Sequence, residues 1–219
     1  MKDYLTINDL KEMLCHVAGE IIANEAYLTE IDNIIGDGDH GIGMKNGFLA
    51  VIEKIDIMDA FTINHLLKNT GMTMLDAMGG ASGVLFGTMF ISCYGAVDFT
   101  EILTLDMLAL MLEKSLLNIK DRGKAQIGDK TMVDSLEPAV VSLLESSQRG
   151  RTFAEGLGFA SKAARAGMEN TKSLVASKGR AQSYGEKSLG TPDPGAVSVS
   201  IIFQAMYNYM KDNKEGEVN

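Results

Sequence analysis

An all-α fold, a bundle of about eight helices, is what the sequence predicts on three observations. Apolar residues recur at steps of three and four in segment after segment, the period of one helix face. Clean apolar/polar alternation bounded by hairpin turns is not found, and the 14 methionines suit helical core packing better than strands. Breaks containing Gly or Pro separate the periodic segments by mostly short loops, which favours antiparallel neighbours.

The first periodic segment runs through Ile7, Leu10, Leu14, Val17 and Ile21, with Thr6 and Asp9 resembling a weak capping box at its start. The period returns at Phe48, Val51, Ile52 and Ile55, then at Leu105, Leu108, Met111 and Leu112, and again at Leu136, Val140, Leu143 and Leu144. His16 and His65 fall inside helical segments and read as structural. No sheet, internal repeat or low-complexity tract is expected.

At 219 residues the chain fits one domain, 1–219, and its 46% apolar and 22% charged residues are the balance of a globular protein. The apolar stretch Leu103 to Leu117 is interrupted by Asp106, Glu113 and Lys114, so no transmembrane helix is expected. Charged residues follow Met1 closely, which argues against a secretory signal and for a cytoplasmic protein. Cys15 and Cys93, the only cysteines, are expected as buried free thiols. A formal net charge of -9 argues against nucleic acid or an anionic membrane as a partner, although a nucleotide can bind where local cations or a metal reverse the sign.

Four of the breaks combine glycine with residues able to touch phosphate or metal: 36–41, 79–83, 122–131 and 179–195. Asp32, Asp37 and Asp39 place three carboxylates within eight residues, and hard oxygen ligands in that density suit Mg²⁺ completed by water and substrate phosphates. The competing reading is a solvated acidic turn that caps the next helix. Gly36-x-Gly38-x-x-Gly41 matches a dinucleotide fingerprint only by accident, because it lacks a βαβ unit and carries aspartates that would repel a pyrophosphate. A calcium hand fails too, since Phe48 stands where its bidentate Glu is required.

Gly79-Gly80-Ala81-Ser82-Gly83 precedes an apolar run and can present backbone N–H groups and a hydroxyl at a helix N-terminus, either to an anion or merely to allow close helix packing. Gly128-Asp129-Lys130-Thr131 lacks the P-loop frame and reads as a helix cap. Arg180 offers a planar fork for phosphate oxygens, and Pro192 and Pro194 stiffen a binding edge around Asp193. His40, inside the aspartate loop, is the histidine that supports a functional role, as a contact to phosphate or to an incoming donor group.

Taken together, Gly36-Asp37-Gly38-Asp39-His40-Gly41, Gly79-Gly80-Ala81-Ser82-Gly83, Gly128-Asp129-Lys130-Thr131-Met132 and Asp193-Pro194-Gly195 resemble the L subunit of bacterial dihydroxyacetone kinases, over nearly the whole chain. The resemblance implies a closed barrel of eight antiparallel helices with Mg²⁺ and ADP or ATP held in the loops at one end. It implies Asp32, Asp37 and Asp39 as metal ligands, and nucleotide contacts at His40, Gly41, Ile42, Gly43, Ala81, Ser82, Gly123, Met132, Arg180, Asp193, Pro194 and Gly195. It also implies two partners: a ketose-binding K subunit and, for the type that keeps ADP permanently, a phosphohistidine donor protein of the phosphotransferase system. Gly43 departs from the Asn often found in the family, and His40 stands where fatty-acid kinase relatives typically carry Thr. An ATP-dependent kinase for another short ketose, or a nucleotide-sensing regulator without catalysis, are the alternatives.

Overall fold

The structure is a computed structural model that describes residues 3–58 and 60–215. Among them lie nine α-helices: α1 (Ile7–Ala23), α2 (Glu25–Ile35), α3 (His40–Ile55), α4 (Ile63–Ala77), α5 (Gly80–Ile91), α6 (Leu105–Gly123), α7 (Val133–Gln148), α8 (Phe153–Asn170) and α9 (Pro194–Glu215). Helix α1 packs on α3, each helix from α3 onward packs on the next, and α9 returns to α1, so eight helices close a ring. Helix α2 follows α1 after Asn24 and packs against α3. The fold is the all-α barrel expected. No helix among the described residues is long and apolar enough to cross a membrane.

One apolar core fills the ring. Phe48, Phe86, Phe153, Phe203, Met13 and Met44 are among its largest fully buried side chains, drawn from five different helices. The periodic residues of the sequence point inward as predicted: Leu10, Leu14, Val17 and Ile21 from α1, and Leu136, Val140 and Leu143 from α7. Ile52 and Leu144 sit on the margin, more exposed than their spacing suggested.

Two expectations need correction. A small antiparallel ladder exists, β1 (Tyr4–Thr6) paired with β2 (Ile102–Thr104), with Leu5 opposite Leu103 and both buried. Strands of three residues are too short for alternation to register, and each runs straight into the threonine that caps the following helix. Of the two free thiols only Cys93 is fully buried, Cys15 being partly buried on the flank of α1. Burial pushes the Cys93 thiol up to about 11, so little reactive thiolate exists at pH 8. In a native thiol titration with a chromogenic disulfide at pH 8, Cys93 is expected to stay unmodified until denaturant is added; two equivalents reacting at once would contradict this packing.

Helices α7 and α8 meet with least clearance. Pro138 lies inside α7 and cannot donate to the carbonyl of Asp134, and Gly167 of α8 approaches that freed oxygen. A Cβ on Gly167 would collide with it, and the obstacle is backbone. Gly167→Ala is therefore expected to destabilise the protein by about 2 kcal/mol despite alanine's better helix propensity, as measured by urea unfolding.

Candidate functional site

The helix starts divide into two sets. At one end of the ring α1, α4, α6 and α8 begin on Thr6, Thr62, Thr104 and Thr152, each of whose side chains accepts a first-turn N–H. At the other end α3, α5 and α7 begin on Asp39, Gly79 and Met132, none of which makes a side-chain cap. A missing cap costs about 1 kcal/mol, and other groups offset it in part: Asp32 accepts the His40 N–H of α3 and the Thr131 hydroxyl the Val133 N–H of α7, while no side chain caps α5. All three starts, with Pro194 and Gly195 at the start of α9, line a single open cleft whose free volume, mouth included, is about 870 Å³. Four helix dipoles thus direct their positive ends at one space, an arrangement that attracts anions.

Beside these starts lie the three aspartates. One carboxylate oxygen from each of Asp32, Asp37 and Asp39 can be found within 4.8 Å of the others, and among the described residues this is the one such group of potential metal ligands. Asp32 is buried at the end of α2 and accepts the His40 N–H at 3.1 Å, which fixes it relative to α3. The Asp39 carboxyl is raised above its ordinary range, by burial first and then by the charges of Asp37 and Asp32. That mutual repulsion is the signature of a cluster short of positive charge, and the all-oxygen donor set suits a hard divalent cation. Asp37 meets the guanidinium of Arg180 at 3.0 Å.

His40 is a buried part of the cleft floor. Its Nδ1 lies 3.0 Å from Ser82 Oγ and its Nε2 2.8 Å from Ser198 Oγ, so both ring nitrogens are occupied. Burial lowers its pKa to about 4, against the opposing pull of Asp32, and the ring is neutral at physiological pH. In this arrangement His40 positions the Ser82 hydroxyl at the first turn of α5 rather than offering a free nitrogen to the cleft.

The far wall is built around Lys130, which is buried and holds a left-handed backbone conformation with φ of 60°. Its ammonium donates to the carbonyls of Thr171 at 2.5 Å and Thr191 at 2.6 Å. Burial lowers its pKa, opposed by Asp193 and Asp134. Asp134 accepts the N–H groups of Gly128 at 2.7 Å and Thr131 at 2.8 Å, shaping the turn that presents Lys130. Asp193 caps α9 by accepting the Ala196 N–H at 2.8 Å, and burial pushes its carboxyl up to about 7, so it adds less than a full charge to the cleft at neutral pH.

A model of the DAK2 domain matches residues 34–208. The chain belongs to the DAK2 domain family. It is 43% identical over 189 residues to the ADP-binding subunit of the PEP-dependent dihydroxyacetone kinase of Escherichia coli (strain K12), covering 86% of this chain and 90% of that protein. Over 202 residues it is 37% identical to the ADP-binding subunit of the PTS-dependent dihydroxyacetone kinase of Lactococcus lactis, covering 92% of this chain and 97% of the other. Among solved structures, the dihydroxyacetone kinase of C. freundii in complex with AMP-PNP and Mg²⁺ superposes with a TM-score of 0.71 at 26% identity, covering 90% of this chain and 33% of that longer one.

For this family member, most residues singled out from the sequence converge. Asp32, Asp37, Asp39, His40, Ala81, Ser82, Met132, Arg180, Asp193, Pro194 and Gly195 all line the cleft. Gly41, Ile42, Gly43 and Gly123 do not: Gly41 is buried against α2, Ile42 is exposed beyond the rim, and Gly123 stands behind Leu85. The sequence reading missed Lys130 and Lys178 as local cations, and Ile35, Leu85 and Phe86 as an apolar wall. Lys130 lay in a segment read as a mere cap; a lysine between an aspartate and a threonine carries no sign that its side chain turns inward.

Proposed function

We propose that this chain is the nucleotide-carrying subunit of a dihydroxyacetone kinase, holding Mg-ADP or Mg-ATP and passing the terminal phosphoryl group to a ketose bound on a separate K-type subunit. The observation that carries the reading is the convergence of three uncapped helix starts and a cluster of three carboxylates on one cleft. Relatives named as ADP-binding kinase subunits and a neighbour that holds AMP-PNP and Mg²⁺ supply the identity of the ligand.

Asp32, Asp37 and Asp39 hold the metal, whose charge offsets that of the phosphates during transfer. The first-turn N–H groups of α5 and the Ser82 hydroxyl, aligned by His40, receive phosphate oxygens, and Arg180 adds a planar donor fork. Ile35, Leu85 and Phe86 provide an apolar side for the base. The reading of 1–219 as one domain is supported by the single large core that the described residues share. The protein works in the cytoplasm and receives phosphate from a phosphohistidine protein of the phosphotransferase system, as the "PTS-dependent" relative suggests.

Two experiments test this. After exhaustive dialysis and denaturation, chromatography of the released nucleotide is expected to show ADP. Reconstitution with a K-type subunit and a phosphohistidine donor is expected to phosphorylate dihydroxyacetone, while the chain alone does not. Persistent inactivity of the reconstituted system alongside tight nucleotide binding would turn the reading toward a nucleotide sensor.

A further inference from the structure

The 23 residues between α8 and α9, 171–193, form a strap across the cleft mouth, and Lys178, Gly179, Arg180 and Ala181 line the cleft from above. Its base is pinned: the Gly190 N–H donates to the Lys172 carbonyl at 2.8 Å, Lys130 ties Thr171 to Thr191, and Ser177, before Gly179, donates its N–H to the Asp129 carbonyl at 3.2 Å and its hydroxyl to the Asp129 carboxylate at 2.5 Å. Its tip is held differently. Arg180 pairs with Asp37 at 3.0 Å, the Tyr184 hydroxyl donates to the Gly36 carbonyl at 2.8 Å, and Ile35, Ala176 and Ala181 make a small apolar cluster separate from the main core. Glycines with positive φ, Gly179 at 64° and Gly185 at 53°, bracket the segment carrying Arg180 and Tyr184 and can absorb the rotation of an opening strap.

These tip contacts are unequal once a metal is considered. Arg180 is 76% exposed and Asp37 36%, so their pair is screened and weak. Asp37 is also one of the three carboxylates a divalent cation needs, and a cation bound there competes with Arg180. The Tyr184 bond to the Gly36 carbonyl uses none of the three carboxylates, so a cation gathering them does not compete for it as it does for Arg180. The Ser177 bonds to Asp129 fall before the Gly179 hinge, and the cluster of Ile35, Ala176 and Ala181 is too small by itself to hold the segment beyond that hinge shut.

We propose that Tyr184 is the latch of this strap: its hydrogen bond to the Gly36 carbonyl keeps the strap closed after a metal has drawn Asp37 away from Arg180, and so sets how long the nucleotide stays. The inference rests on the nucleotide-carrying reading above and goes beyond it by assigning residence time to a residue outside the cleft lining. Tyr184 is a positioning residue that acts through the loop bearing Asp37 and Asp39.

The test is release of a fluorescent N-methylanthraniloyl-ADP, loaded with Mg²⁺ and chased with excess ADP, from wild type, Tyr184→Phe and the exposed control Gln182→Ala. Tyr184→Phe keeps the ring and removes one hydrogen bond, so release is expected to be roughly fivefold faster, the equivalent of about 1 kcal/mol. Gln182→Ala releases at the wild-type rate, and the thermal unfolding midpoint of Tyr184→Phe stays at the wild-type value. Without nucleotide, tryptic cutting at Lys178, Arg180 and Lys187 is likewise faster in Tyr184→Phe. Wild-type release or wild-type cutting in Tyr184→Phe overturns the latch and leaves the nucleotide reading standing. A wild-type protein that takes up no nucleotide overturns both.

Discussion

Asp37→Ala lowers Mg-nucleotide affinity by about a hundredfold or more, since even supporting residues of a metal site are worth 10–100-fold, while leaving the fold as stable as before. The second half follows from the contacts. Asp37 is partly exposed, and its recorded ion pair is the screened one with Arg180. Removing its charge also relieves Asp39, whose carboxyl it helps to raise. Asp32→Ala differs, because buried Asp32 accepts the His40 N–H and its loss unsettles the start of α3 as well as the metal site. Isothermal titration with Mg-ADP, beside urea unfolding of the metal-free proteins, separates the two. Unchanged affinity in Asp37→Ala would return the cluster to a solvated acidic turn.

Lys130→Met destabilises the protein by about 3 kcal/mol, because two buried carbonyls lose a charged donor and methionine offers none. For a chain of this size that corresponds to a fall of roughly 10 °C in melting temperature. The loss has a local component: the bonds to Thr171 and Thr191 close the base of the strap, so faster proteolysis between 172 and 187 accompanies it. The strained φ of Lys130 fits such a role, since a non-glycine residue persists there only where its contacts outweigh the cost. An unchanged melting curve measured by circular dichroism would show that these bonds are not kept in solution.

Both expectations depend on charge placed where apolar packing would be cheaper, and the cap pattern has the same logic. Threonine side chains cap the four helix starts at the structural end, while at the cleft Asp193 caps α9 and the starts of α3, α5 and α7 lack a side-chain cap from their own N-cap residue. Stability is given up at the end that meets the ligand.

What the sequence determined by itself was whatever depends on near neighbours. Helix periodicity places Leu10, Leu14, Val17 and Ile21 on one face within four turns, and the aspartates declare their chemistry within eight residues. Threonine starts are local as well, since Thr6 and Asp9 complete a capping box within three residues. Only the tertiary structure decided which loops share a cleft, and it left Gly41, Ile42, Gly43 and Gly123 outside the lining while admitting Lys130 and Lys178. It also turned His40 to two serines, one 42 and one 158 residues away, and joined Tyr184 to a carbonyl 148 residues distant. The reason is physical: a side chain's period and composition report the face on which it lies, but its partner across the barrel is set by how helices close the ring, which no local pattern encodes.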